Sequence, residues 1–199
     1  VLDEIGIDVG LFDDPNNRVS FVDRGRMFEH CASRTGCPHF GLLAGQKAGL
    51  SSFGFVGLLA KYSPSVNSAL DSLIRFMHLH VRGATTTLKM EPGVALLEYQ
   101  IYQKGAPGND QVGAGAVAVA FNILQELCGD EWKPVEIRIA HSKPDDVSPY
   151  RDFFGAPLRF NSEQYGVAFS DNWLDHRLRD TDPELLRLLQ RQVDKLEAQ

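Results

Sequence analysis

The sequence predicts an α+β fold: a mainly antiparallel sheet with covering helices, ending in a separate C-terminal helix. Three observations carry this. The stretches 85–88 and 94–102 are rich in β-branched and aromatic residues and flank Glu91-Pro92-Gly93, which is a hairpin signal. The segment 112–127 is apolar nearly all round, as a buried helix is. Val135, Ile137 and Ile139 alternate with Glu136 and Arg138, the period of a half-buried strand.

The other elements follow in chain order. Residues 1–9 alternate apolar and acidic, and Asp13-Asp14-Pro15-Asn16-Asn17 predicts a turn. Asp23 is the expected cap of a helix to Thr35 with Met27, Phe28 and Cys31 on one face, stopped by Gly36-Cys37-Pro38. The short apolar run 40–47 reads as a strand. Ser51-Ser52 opens a helix through Leu58, Leu59 and Tyr62, and Ser63-Pro64-Ser65 breaks it and caps the next, which carries Val66, Leu70, Leu73, Ile74 and Met77. Residues 104–110 form a Gly/Pro/Asn loop before the apolar helix. A short helix at 149–154 ends at Gly155, and 158–160 with 167–169 predict a second hairpin. Each half then reads strand, helix, hairpin, so a duplicated βαββ unit is one arrangement the pattern allows. Asp182-Pro183-Glu184 starts the last helix with a cap and a proline at its first position. Its Leu186, Leu189, Val193 and Leu196 are spaced three, four, three. That spacing fits a dimer seam or a helix packed on its own domain. The expected division is a regulatory domain over 1–181 and a linker or dimerisation helix over 182–199.

The bulk properties restrict function. Of 199 residues, 43% are hydrophobic and 23% charged, enough for a sizeable core. The formal net charge of −6 lacks the basic surplus that replaces phosphate counterions, so the chain is not expected to hold DNA by itself. Three cysteines, Cys31, Cys37 and Cys128, are an odd set that suits free thiols in a reducing compartment. No basic-then-apolar leader appears, and the run 112–128 is interrupted by Asn122, Gln125 and Glu126. A cytoplasmic protein without membrane contact is expected. The chain starts at Val1 and stops inside a helical pattern, which suggests that a further segment follows.

No nucleophile elbow, P-loop or zincin motif occurs, and no enzyme is expected. His30, Cys31, Cys37 and His39 do not have zinc spacing, so neither metal nor cofactor is assigned. Gly113-x-Gly115 lies within a helix without a preceding tight strand, and close helix packing explains it better than a dinucleotide site. His78 and His80 near a helix end suit the C-terminal dipole, and His141 at a strand end suits a structural hydrogen bond.

A longer pattern runs from Pro134 through His141 and Pro144. It continues over Tyr150-Arg151-Asp152-Phe153-Phe154-Gly155-Ala156-Pro157-Leu158-Arg159-Phe160, Val167-Ala168-Phe169, Trp173-Leu174 and Asp182-Pro183-Glu184-Leu185. With 35–42 and 62–66, it resembles the N-terminal effector-binding, arabinose-binding-like domain of AraC/XylS-family transcriptional regulators. The resemblance implies a domain that binds a small-molecule effector and forms a homodimer. It also implies DNA contact only through a C-terminal helix-turn-helix domain absent from this chain. It carries no universal set of ligand residues.

Ligand pockets are apolar with a few polar anchors. The candidate wall is therefore Phe53, Phe55, Leu58, Phe76, Tyr99, Tyr102 and Phe121, with Arg75, His80, Arg138 and His141 as candidate anchors. Arg138 loses that role if it lies on a free sheet face. Two other functions stay open: a small enzyme acting on a hydrophobic or amine substrate, and a pure dimerisation module with a filled core.

Overall fold

A computed structural model describes residues 2–14, 17–103, 105–179 and 181–198. The expected turn residues Pro15 and Asn16, the first loop residue Lys104, and Val1 and Gln199 lie outside the described residues. The elements are α1 (Phe21–Thr35), α2 (Phe40–Gly45), α3 (Gly54–Lys61), α4 (Val66–Phe76), β1 (Ala84–Glu91), β2 (Val94–Ile101), α5 (Asn109–Cys128), β3 (Glu136–Arg138), α6 (Ser148–Phe154), β4 (Leu158–Arg159), β5 (Tyr165–Ser170) and α7 (Pro183–Glu197). Two 3-10 turns precede α1, and single ones precede α3 and follow α4 and β5. The fold is α+β.

The strands form one sheet in the order β1-β2-β5-β3-β4. All pairs are antiparallel except β3 with β4. Pro92 and Gly93 turn β1 into β2, and Gly93 takes the left-handed φ of 76° that the turn needs. The second expected hairpin does not form. Residues 158–159 and 165–170 are separated by β3, which pairs with both. The first half also lacks its leading strand, because 40–45 is helical. The duplicated βαββ unit is therefore overturned: the matching Gly-Val-Ala triplets mark two strands in different surroundings.

The helix at 40–45 shows why a short apolar run is ambiguous. Gly41, Leu42 and Gly45 are buried, a helical rather than an alternating set. A β-carbon at Gly41 would stand 1.9 Å from the Gln111 carbonyl oxygen, and one at Gly45 2.3 Å from that of Gly115. α2 thus lies directly on the backbone of α5. Polar side chains of α5 satisfy its open ends. Gln111 Oε1 accepts from Gly41 N at 2.7 Å, Gln111 Nε2 donates to Pro38 O at 2.8 Å, and Asn122 Nδ2 donates to Ala48 O at 2.7 Å.

Other caps differ by a turn or agree. α1 starts at Ser20, whose Oγ accepts from Asp23 N at 3.0 Å, so Asp23 lies inside the helix. Ser65 caps α4 in a capping box with Ser68. Asp182 caps α7 through Glu184 N and Leu185 N, with Pro183 first in the helix.

The core lies between the helices and one sheet face, where Ala95, Leu97, Val167, Phe169 and Ile137 point. α5 passes the length and composition test for a membrane-crossing helix, yet it is the central core helix, packed by α1, α2, β2 and β5. The outer sheet face carries charge pairs: Lys89 Nζ meets Glu98 at 2.6 Å, and Arg138 meets Glu136 at 3.0 Å and Glu91 at 3.5 Å. α7 docks on α3, with Leu189 at 6% and Val193 at 0% exposure.

Candidate functional site: an apolar cavity beneath the sheet

The helices and the inner sheet face leave a cavity of about 230 Å³. α5 explains the space. Among the residues it turns to the cavity are Gly115, Ala116 and Ala120, whose side chains are too short to fill the space, alongside Val112, Val117, Val119 and Ile123. Leu70, Leu73 and Ile74 of α4 form a second wall, and Phe53 and Met77 lie beside them. Thr86 of β1 with Leu97 and Tyr99 of β2 supply the sheet side, and Arg24 and Phe28 of α1 complete the enclosure. The wall is predominantly apolar, as in small-molecule sites.

Arg24 is the exception in charge. Its Nε and Nη2 are buried and have no hydrogen-bond partner. The guanidinium stands 5.0 Å from the Phe21 ring centroid, a cation–π distance. Burial raises the Tyr99 phenol above its ordinary pKa, and the neighbouring Arg24 opposes that shift through its charge and a side-chain hydrogen bond. Glu98 touches the same wall, but its carboxylate is held by Lys89, whose own pKa that hydrogen bond raises.

Phe53 and Tyr99 are the candidate wall residues that the structure places on this cavity. The others lie elsewhere, each for a visible reason. Phe55 and Leu58 face outward on α3, at 46% and 42% exposure. Phe76 is solid core. Tyr102 projects from the end of the hairpin, and its hydroxyl accepts from Gly83 N at 2.9 Å. Phe121 joins an aromatic cluster with Trp132, Phe153 and Phe154. Arg75 is exposed and reaches toward Glu197. His80 reaches solvent while its ring packs edge-on against Phe53; partial desolvation first, then Arg18, lowers its pKa. Arg138 lies on the helix-free sheet face in its acidic pairs, so it is no anchor for this cavity.

His141 lines a smaller, polar cleft with His39, Asp110, Asp146 and Tyr150. Its Nδ1 sits 2.8 Å from the Ser142 carbonyl, which assigns the proton to that nitrogen. Nε2 then accepts from the Tyr150 hydroxyl at 3.2 Å. Burial pushes the Tyr150 phenol up to about 12. Among the described residues, no three His, Cys, Asp or Glu side chains come together to hold a metal ion.

Sequence reasoning missed Arg24, Phe28 and the α4 and α5 walls. The Arg24 signal was present. Phe21, Arg24 and Phe28 are spaced three and four, so an arginine occupies the apolar face of α1.

Residues 1–178 match the family described as the arabinose-binding domain of AraC transcription regulators, N-terminal. The chain belongs to this family. Similar curated proteins include the ornithine utilization regulator of Pseudomonas aeruginosa, 21% identical over 188 residues, covering 94% of this chain and 56% of the relative. The helix-turn-helix-type transcriptional regulator VirS of Mycobacterium tuberculosis is 23% identical over 165 residues, covering 82% and 48%. The chain thus spans about half the length of the curated relatives it matches. A solved structure, the transcriptional regulator CdpR from Pseudomonas aeruginosa, superposes with a TM-score of 0.65 at 16% identity, covering 78% of this chain and 53% of that one. That likeness shows the shared fold.

Proposed function

We propose that this AraC-type domain is the ligand-sensing part of a cytoplasmic transcription regulator, not an enzyme. A small effector occupies the cavity, and occupancy governs DNA binding by a helix-turn-helix segment outside the chain. The cavity itself carries the reading. A module that only dimerises has no use for an apolar void, because each unfilled volume forfeits packing energy.

The surrounding contacts supply a route outward. α4 and Phe53 line the cavity, α4 and the turn holding Phe53 pack on α3, and α3 carries α7. A ligand that fits one setting of these helices better than another shifts the population by its difference in affinity. α7 is the output element and the site of homodimer contact. Its inward Leu189 and Val193 serve the chain's own core, so the partner meets the outward side, where Leu188 and Leu196 are 56% and 42% exposed.

Filling the cavity tests the reading. Ala116→Phe places a ring where α5 leaves room. A thermal-shift screen of metabolite-sized compounds is expected to yield ligands that raise the melting temperature of the parent but not of this variant. Equal shifts in both proteins, or none in the parent, would sink the proposal.

A further inference from the structure

We infer that the cavity takes a small monocarboxylate with a hydrocarbon body, its carboxylate paired with Arg24 and its tail lying between α4 and α5; this rests on the sensing reading above. The argument starts with an unmet requirement. Guanidinium groups are rarely buried with donors unmatched, since leaving a buried charged donor without an acceptor is costly. Arg24 has two such nitrogens, Nε and Nη2. These adjacent donors form one edge of the planar fork, the edge that a carboxylate grips with both oxygens.

No protein carboxylate takes that role; the neighbouring Tyr99 hydroxyl, which interacts with Arg24, is neutral and leaves the charge unmatched. Among the described residues, Arg24 has no carboxylate partner within ion-pair distance, and the Phe21 ring offers only its π face. Glu98 contributes to the cavity lining, but its carboxylate lies on the outer sheet face bound to Lys89. The site therefore presents a cation to a guest and no free anion. That selects against ammonium head groups, including the second charge of a diamino acid. Ile74, Leu97, Val119 and Ala120 line the same space and give a tail apolar contact and no side-chain donors.

Volume limits the guest. A cavity of roughly 150 Å³ holds benzene, so 230 Å³ holds a molecule of about nine or ten heavy atoms by the same measure. A saturated eight-carbon acid matches that count.

The experiment is isothermal titration of the purified chain with octanoate, octanol and octylammonium. These share a tail and differ at the head. Octanoate is expected to bind at least tenfold tighter than octanol, and octylammonium not to bind. Arg24→Met is expected to bring octanoate down to the octanol value while leaving octanol unchanged. Octanol binding as well as octanoate in the parent protein would overturn the carboxylate assignment while leaving a sensing cavity in place. That comparison needs no variant, so a misfolded Arg24→Met protein does not blunt it. If Ala116→Phe leaves octanoate affinity unchanged, the acid binds elsewhere and the assignment also falls.

Discussion

At the scale of single residues, the least forgiving positions are those where backbone meets backbone. Gly41 is one: its missing side chain lets the Gln111 carbonyl approach to 1.9 Å from where a β-carbon would be. Gly41→Ala must push α2 off α5, which at overpacked sites costs about 1–3 kcal/mol. Urea unfolding should show that loss, and a change under about 0.5 kcal/mol would mean α2 moves freely. Cys128 gives a pH test. Burial pushes its thiol up to about 12 from 9.0. Between those values the unfolded chain releases the proton and the folded chain keeps it. Stability from this group is therefore intact below pH 9 and declines as pH climbs toward 12, with Tyr150 reinforcing the upper part. In the native protein Cys128 should also resist iodoacetamide at pH 8, whereas Cys31 and Cys37 are only half-buried. Rapid labelling of Cys128 would contradict its placement.

Among elements, α7 separates two roles that its leucine pattern merges. Leu189 and Val193 are buried against the body of the chain. Leu189→Ala should cost about 2–5 kcal/mol of folding stability. Leu188→Glu should leave the unfolding midpoint within about 0.5 kcal/mol yet convert a dimer to a monomer in sedimentation. A dimer untouched by Leu188→Glu would remove α7 from the interface. The heptad spacing could not decide this, because a helix docked on its own domain and one docked on a partner use the same repeat. Elements with strong local chemistry were legible: the Pro92-Gly93 hairpin, the Ser65 and Asp182 caps, and the all-round apolar α5. The strand expected at 40–47 failed because six apolar and glycine residues carry no decisive period. The second hairpin failed because pairing of β3 between β4 and β5 is a long-range event with no local signal.

For the whole molecule, the cavity was the part least visible in sequence. Bulky apolar residues were the natural candidates for its wall, and Phe55, Leu58, Phe76, Tyr102 and Phe121 lie elsewhere. A void is defined by what is too small to fill it, and Gly115, Ala116 and Ala120 look like ordinary helix formers in a string of letters. Phe53 and Tyr99 do stand on the wall, and Arg24 was detectable from its place on the apolar face of α1. The charged outer sheet face was readable in alternation, since Glu136 and Arg138 point away from Ile137 and Ile139.

The strand order has an outcome for how the protein is born. β5 is the last strand in the chain and occupies the middle of the sheet, bonded to β2 on one side and β3 on the other. While the ribosome is still short of Ser170, the β1–β2 hairpin has an open edge and β3 has no antiparallel neighbour. The apolar helices are therefore without their complete sheet until Ser170 has emerged. Closure then comes late and at one stroke.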